Sequence, residues 1–334
     1  MSIMGVWRRA RQQRLLLDVT LELTYRCNLD CFYCYNDRTK KGTPLSLEQY
    51  RILLEDLARM QAMFVMLTGG EPMVHPHFFA IGRMTKELGF VTRVRTNGHT
   101  LNPRNVERLL EEVDPHLVEV TLHGATAEVH DRQTRVPGSF QRLLGHLRRA
   151  PAAGLRCGLV VTPTAWNEHQ IEEMAALADE LGIPLRFQGP VGPRDNGDTE
   201  PLTIQPAPAT WERVSALVSE RRAREAARVT PVEISADPGD EPRATCSVGL
   251  SGVHIDPYGN VQACIHLQES TGSLHEHSIE EIWNHSPIFR QAREGAVAAA
   301  SRFVGTLPTQ LGAPVFCLAV ERNCGKGGAP CGCR

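Results

Sequence analysis

No apolar run in this 334-residue chain reaches the roughly 20 residues needed to cross a bilayer. Near the N-terminus, Leu15-Leu16-Leu17 follows a group of arginines, and three residues are too few for the core of an export signal. Charge of one sign is missing as well. Lys and Arg number 36 against 38 Asp and Glu, a formal charge of −2, which leaves no overall electrostatic footprint for nucleic acid. There is neither an internal repeat nor a low-complexity tract, so repeat architectures are excluded. The expectation is a cytoplasmic protein with neither a membrane nor a nucleic acid as partner.

What is present is an ordinary globular composition, 42% hydrophobic and 22% charged, on a chain long enough for two domains. The unusual feature is ten cysteines without an export signal. A reducing cytosol disfavours structural disulfides, so close cysteine spacings there point to metal or redox chemistry. Cys27, Cys31 and Cys34 form one group, and Cys246, Cys264, Cys317, Cys324, Cys331 and Cys333 lie beyond residue 240. Cys157 stands alone and reads as a small buried hydrophobe.

From residue 18 to about 190, short apolar runs alternate with amphipathic helical patterns. Strands are expected at Val19–Thr24, Phe64–Thr68, Val91–Thr96, Leu117–Leu122, Leu159–Val161 and Leu185–Gln188. Helices are expected at Leu47–Met60, His77–Leu88, Pro103–Glu112, Phe140–Arg149 and Asn167–Leu181. Ser46 and Asn102 suit N-caps, and Gly89 and Gly182 suit helix C-termini. Six βα-like units in series imply parallel strands with crossover helices, an α/β fold of the partial (β/α)6 barrel type. The segment Gly189–Pro208 breaks the rhythm and reads as a linker or a loop over a site, with a helix to follow at Thr210–Arg228. Further on, Asp256-Pro257-Tyr258-Gly259-Asn260 reads as a hairpin turn, and Ser278 with Glu281 as a capping box. The resulting division is a basic N-terminal extension over 1–18, the barrel over 19–208, a connecting helix and linker over 209–240, and a small cysteine-rich C-terminal domain over 241–334.

Three thiolates on one short loop can hold three irons of a [4Fe–4S] cluster and leave the fourth open, or they can form part of a zinc site. That loop follows the first strand, at the strand end where α/β folds place their chemistry. The run Cys27-x-x-x-Cys31-x-x-Cys34, with Tyr33 before its last cysteine, resembles the signature of the radical S-adenosylmethionine superfamily. Thr68-Gly69-Gly70-Glu71-Pro72 after the second strand, Thr96-Asn97-Gly98 after the third, and Thr121-Leu122-His123-Gly124 with His130-Asp131 after the fourth extend the resemblance. Asn167 matches a polar position after the fifth. The resemblance implies an open-iron [4Fe–4S] cluster on Cys27, Cys31 and Cys34, with S-adenosylmethionine held by Tyr33, Gly69, Gly70, Glu71, Asn97 and Thr121. It further implies reductive cleavage to a 5′-deoxyadenosyl radical that takes hydrogen from a substrate, fed by an external electron donor such as flavodoxin or ferredoxin.

The spacing from Cys246 through Gly259 to Cys264, with the hairpin between them, resembles the SPASM or twitch extension of part of this superfamily. It implies one or two auxiliary iron–sulfur clusters on Cys246, Cys264, Cys317, Cys324, Cys331 and Cys333. Two fully cysteine-ligated clusters need eight thiolates, and only six are present after residue 240. Val320 and Gly328 stand where cysteines are expected. A structural zinc knot on Cys317, Cys324, Cys331 and Cys333 is the alternative. His254, His266, His275 and His277 could ligate iron, but read first as surface or loop residues.

The leading expectation is a maturase that modifies side chains of a ribosomally made peptide by a thioether, a carbon–carbon crosslink or an oxidation. About 18 residues precede the first strand, too few for a fused leader-recognition domain, so a separate leader-binding protein is the expected partner. The rivals are a small-molecule enzyme of cofactor, haem-related or antibiotic biosynthesis, and a non-catalytic iron–sulfur electron-transfer or assembly protein. His123, Asp131, Asp195 and Asp198 are acid–base candidates by position. Trp7 with Arg8, Arg9, Arg11 and Arg14 suggests a solvated N-terminal helix.

Overall fold

The computed structural model describes residues 3–226, 249–265 and 267–302. Its strands form one open sheet, β1 (Asp18–Glu22), β2 (Phe64–Thr68), β3 (Val91–Thr96), β4 (Leu117–Thr121), β5 (Cys157–Val161) and β6 (Leu185–Phe187) all running parallel. Beyond β1 on its other side come β7 (Gly252–Ile255), β8 (Asn260–Cys264) and β9 (Leu267–Ser273). β7 pairs parallel to β1, whereas β8 and β9 complete an antiparallel meander closed by the Asp256–Asn260 turn. The described helices are α1 (Ile3–Gln13), α2 (Leu47–Arg59), α3 (Phe78–Glu87), α4 (Pro103–Arg108), α5 (Ala127–Thr134), α6 (Ser139–Arg149), α7 (Ile171–Leu181), α8 (Pro208–Ala226), α9 (Ile279–His285) and α10 (Pro287–Arg302). None of them is long and apolar enough to cross a membrane.

Side chains alternate across a strand, and the two faces of this sheet differ sharply. Val19, Leu21, Val65, Leu67, Val94, Val118, Val120, Leu159 and Val161 point to the helices and pack with Leu54, Leu57, Phe78, Ile81, Leu109, Leu143 and Met174. Each such buried side chain contributes about 1.5–3 kcal/mol by leaving water. Cys157 belongs to this apolar layer. On the other face, the inside of the partial barrel, stand Asp18, Thr20, Glu22, Arg93, Arg95 and Glu119. They are cross-linked there by Arg93–Asp18 at 3.2 Å, Arg95–Glu119 at 2.8 Å and Arg186–Glu119 at 3.0 Å. A sheet with one apolar and one charged face builds a barrel whose core lies outside the strands and whose interior is polar.

Local signals account for the helix ends. Ser46 caps α2 reciprocally with Gln49, Asn102 caps α4 ahead of Pro103, and Ser278 and Glu281 form the box at α9. Gly182 closes α7 in the left-handed conformation at φ 65°. The pattern over Pro103–Glu112 divides into α4 and a π-turn at Leu109–Val113, ended by left-handed Asp114. α5 carries no helical apolar stripe, because most of what it buries is polar: His130, Gln133 and Thr134 beside Val129. In α1, Trp7 stacks on Phe64 with ring centroids 5.3 Å apart, which fixes the N-terminal helix against the start of β2.

Candidate functional site

The chain leaves β1 into the loop Tyr25–Cys34, and α5 and its neighbours clamp that loop. The amides of Asp30 and Phe32 donate to the carbonyls of Thr134 and Gln133 at 3.1 and 2.9 Å. Phe32 packs on Trp166 and under the Arg135 guanidinium. From the segment after β6, Arg194 donates to the Phe32 carbonyl at 3.1 Å and the Asp195 amide to the Tyr35 carbonyl at 2.8 Å. Gly189–Pro208 therefore does fold over the cysteine loop.

Each cysteine sulfur of the loop has a nitrogen neighbour. Cys27 Sγ accepts from the Leu29 amide at 3.4 Å and the Asn97 side chain at 3.6 Å. Cys34 accepts from the Asn36 amide, and Cys31 Sγ lies 3.8 Å from His123 Nε2. Burial pushes all three thiols up, with repulsion from the other two adding to the effect at Cys31. Bound metal reverses this, because a coordinating thiol is deprotonated outright. Among the described residues, no three His, Cys, Asp or Glu side chains gather closely enough for a single metal ion. Three thiolates on one loop, each beside a nitrogen of a neighbouring residue, suit a cluster in which each iron takes one cysteine.

Opposite the loop runs Gly69-Gly70-Glu71. The Gly70 and Glu71 amides donate to the carbonyls of Thr24 and Arg26 at 2.6 and 2.9 Å. A Cβ on Gly69, at φ 140°, would meet Thr24 O at 2.4 Å, and one on Gly70 would meet Arg26 O at 2.4 Å. Both glycines are thus required by the close approach of two backbones. Glu71 is closed to solvent. Its carboxylate accepts from Thr96 Oγ1 at 2.9 Å, the Asn97 amide at 2.9 Å, the Met73 amide at 3.2 Å and Thr100 Oγ1 at 3.4 Å. Burial lifts its pKa to about 7 despite those donors. Glu71 thereby fixes the turn that aims Asn97 at Asn28 and Cys27.

Tyr33 is half-buried with its hydroxyl 3.0 Å from His123 Nδ1, and Thr121 is partly exposed at the C-terminal end of β4. Asn167 is fully buried and joins the ends of β4 and β5 by donating to the carbonyls of His123 and Thr162, both at 3.1 Å. Two acid–base candidates serve local structure. Asp131 accepts from the Gly138 and Phe140 amides and the Ser139 hydroxyl, and Asp198 pairs with Arg194. Asp195 differs: burial and the nearby Glu22 charge lift its pKa to about 7.

One group in this region has no counterpart in the motif reading. Glu22 is buried at the end of β1, accepting from the Tyr35 hydroxyl through one oxygen. Its other oxygen lies 3.3 Å from His254 Nε2, close enough for an ion pair, although neither atom is aligned for a hydrogen bond. His254 Nδ1 donates to Gln262 at 2.8 Å. Burial pushes His254 down, but the nearby Glu22 carboxylate and the Gln262 hydrogen bond outweigh it, and the pKa is raised. His254 is therefore a buried strand residue, contrary to the surface or loop position expected for it. His275 and His277 are exposed, while His266 lies outside the described residues.

Toward the C-terminus, Cys264 ends β8, half-buried. The turn before it is bound to the cysteine-loop side: Lys40 pairs with buried Asp256 at 2.9 Å and Tyr258 donates to the Lys40 carbonyl at 2.7 Å. Cys246, Cys317, Cys324, Cys331 and Cys333 lie outside the described residues.

Residues 21–178 match the model of the Radical SAM superfamily, and residues 246–303 match an iron–sulfur cluster-binding domain, SPASM. Mycofactocin maturase MftC of Mycobacterium ulcerans is 31% identical over 84% of this chain and 78% of its own length. The chain belongs to the radical SAM superfamily. An AdoMet-dependent heme synthase of Methanosarcina barkeri is 27% identical over 83% of this chain and 84% of its own length. Among solved structures, Streptococcus suis SuiB bound to precursor peptide SuiA shares the fold, with a TM-score of 0.69 at 15% identity over 87% of this chain and 71% of that one. As a radical SAM enzyme with a SPASM region, this protein uses a [4Fe–4S] cluster, S-adenosylmethionine and auxiliary iron–sulfur clusters.

Proposed function

We propose that this radical SAM enzyme modifies side chains of a ribosomally made peptide, forming a thioether or carbon–carbon crosslink or oxidising a residue. The observation that carries the reading is the 31% identity to a maturase across most of both chains. The fold is one that, in SuiB, holds a precursor peptide. When bound, the cluster and S-adenosylmethionine supply a 5′-deoxyadenosyl radical that takes hydrogen from substrate. The chain's own part is to bind, orient and shield. Cys27, Cys31 and Cys34 hold the cluster, while Tyr33, Gly69, Gly70, Glu71, Asn97 and Thr121 serve the cofactor site, Glu71 also fixing Asn97. Cys246, Cys264, Cys317, Cys324, Cys331 and Cys333 serve the auxiliary centre within residues 241–334, and the barrel occupies 19–208. Flavodoxin or ferredoxin delivers the electron.

A second reading, a small tetrapyrrole-type substrate, draws on the 27% identity to a heme synthase. A search beside the gene for a short cysteine-rich reading frame, followed by incubation with the peptide it encodes, separates the two. A mass change in that peptide, dependent on S-adenosylmethionine, is the expected result, and an unchanged peptide beside a converted tetrapyrrole would overturn the peptide reading. For the site itself, replacing Cys27, Cys31 and Cys34 together by Ala should abolish S-adenosylmethionine cleavage and leave iron bound elsewhere. Retained cleavage would refute the assignment. Anaerobic reconstitution of the unmodified chain should give about 8 irons with one auxiliary cluster or about 12 with two.

A further inference from the structure

Of the three cysteines in the β1 loop, two receive their N–H donors locally. Cys27 takes the amide of Leu29, with the Asn97 side chain as a second donor, and Cys34 has the amide of Asn36, each amide two residues further along the chain. Cys31 instead faces a side chain from the end of β4, with its Sγ 3.8 Å from His123 Nε2. We propose that His123 is a positioning residue for the first cluster, donating a hydrogen bond from Nε2 to Cys31 Sγ and so raising the cluster's reduction potential. The inference rests on the assignment of Cys31 as a cluster ligand.

The direction of that hydrogen bond follows from the donor inventory. An iron-bound cysteine is a thiolate with no proton of its own, so the hydrogen between the two atoms belongs to the imidazole. The other ring nitrogen, Nδ1, faces the Tyr33 hydroxyl at 3.0 Å, a group able to donate to it. Tyr33 is in turn hydrogen-bonded by Thr162. The result is a chain from Thr162 through Tyr33 and His123 to the sulfur, in which each bond polarises the next.

The imidazole is held from several directions. Its residue's amide donates to His130 Nδ1 at 3.3 Å, its carbonyl accepts from Asn167 at 3.1 Å, and the His130 ring lies edge-on at 5.0 Å. Gly124 beside it has no room for a side chain, since a Cβ would come within 2.7 Å of Val129 and 2.9 Å of the His130 amide. With His123 only 3% exposed, the Nε2–H has no solvent to serve and is directed at the sulfur. Hydrogen bonds to cluster sulfurs withdraw electron density and favour the reduced, more negative cluster.

The test is the midpoint potential of the first cluster, read by EPR-monitored redox titration of the anaerobically reconstituted full chain without S-adenosylmethionine. Signals are compared with the Cys27/Cys31/Cys34→Ala variant, so that auxiliary clusters are subtracted. His123→Leu should shift the midpoint to a more negative value, and His123→Gln, whose amide can still donate, should recover part of the shift. An unchanged midpoint in His123→Leu with the cluster signal intact would overturn the proposal. Should His123→Leu fail to fold, the unmodified sequence carries a second measurement. Labelled with 15N-histidine and reduced, it should show a weak 15N coupling to the first cluster in pulsed EPR, and absence of that coupling overturns the proposal. A missing first-cluster signal in the unmodified protein would instead refute the ligand assignment itself.

Discussion

Two buried glutamates stand at neighbouring strand ends and solve the same problem differently. Glu71, after β2, is surrounded by neutral donors: two hydroxyls and two backbone amides. Glu22, at the end of β1, has a tyrosine hydroxyl on one oxygen and the His254 imidazole beside the other. Removing a carboxylate from water is costly, and neutral hydrogen bonds offset only part of the cost. Hence the Glu71 pKa rises to about 7, whereas the Glu22 carboxylate raises the pKa of the histidine beside it. A carboxylate with neutral donors acts as a clamp on backbone. One paired with a cation joins elements distant in sequence, here β1 to β7.

The largest effect is expected where charge is left without its partner. Glu22→Gln should lower the unfolding free energy by about 3–5 kcal/mol, because it strands the buried His254 charge. The double variant Glu22→Gln with His254→Gln should recover a substantial part of that loss. Urea titration of both variants checks this, and a cost below about 1 kcal/mol for Glu22→Gln would mean that the pair is not charged. At the other glutamate, Glu71→Ala should cost about 1–3 kcal/mol, the usual penalty for buried donors left unpaired. Amide exchange at Met73 and Asn97 should accelerate in that variant ahead of the rest of β3, and uniform acceleration would contradict the clamp.

The smallest expected effect separates the two glutamates by pH. The folded-state pKa of Glu71 lies above its ordinary value of 4.5, at about 7, so folding takes up a proton between those values. The associated stability is fully present below about pH 4.5 and is lost as pH rises through about 7. The unfolding midpoint of the unmodified protein should therefore fall more steeply than that of Glu71→Gln between about pH 5 and pH 8. Parallel slopes would mean that the carboxylate stays ionised throughout.

Much of the frame was legible because its causes are local. Alternation and helical spacing located β1 to β6 to within a residue or two, and Ser46, Asn102, Gly182 and Ser278 marked helix ends by their own side chains or backbone freedom. The cysteine loop, Gly69–Glu71 and Asn97 could be picked out as candidates because each follows a strand directly. What stayed hidden depends on distant partners. Nothing near Gly252 announces that it lies beside Asp18, and α5 gave no helical stripe because its buried side chains are polar. Glu22 and His254 could have been suspected from their alternation with Leu21, Leu23, Val253 and Ile255, which marks a second face that is buried and yet polar. Their pairing could not, since it depends on the β1–β7 register. His123 was singled out as a possible acid or base, but its nearness to Cys31 comes from a loop that only the fold brings to it.

The β1–β7 pairing bears on the order in which the chain can be completed during synthesis. β1 is made among the first residues, yet one of its edges is covered only when residues 252–255 arrive. Until then the nascent chain carries an open edge strand beside its cysteine loop, the type of surface that recruits other strands. A ribosome-bound intermediate truncated before β7 should accordingly be the aggregation-prone species. Safe completion then depends on that edge being closed before another chain pairs with it.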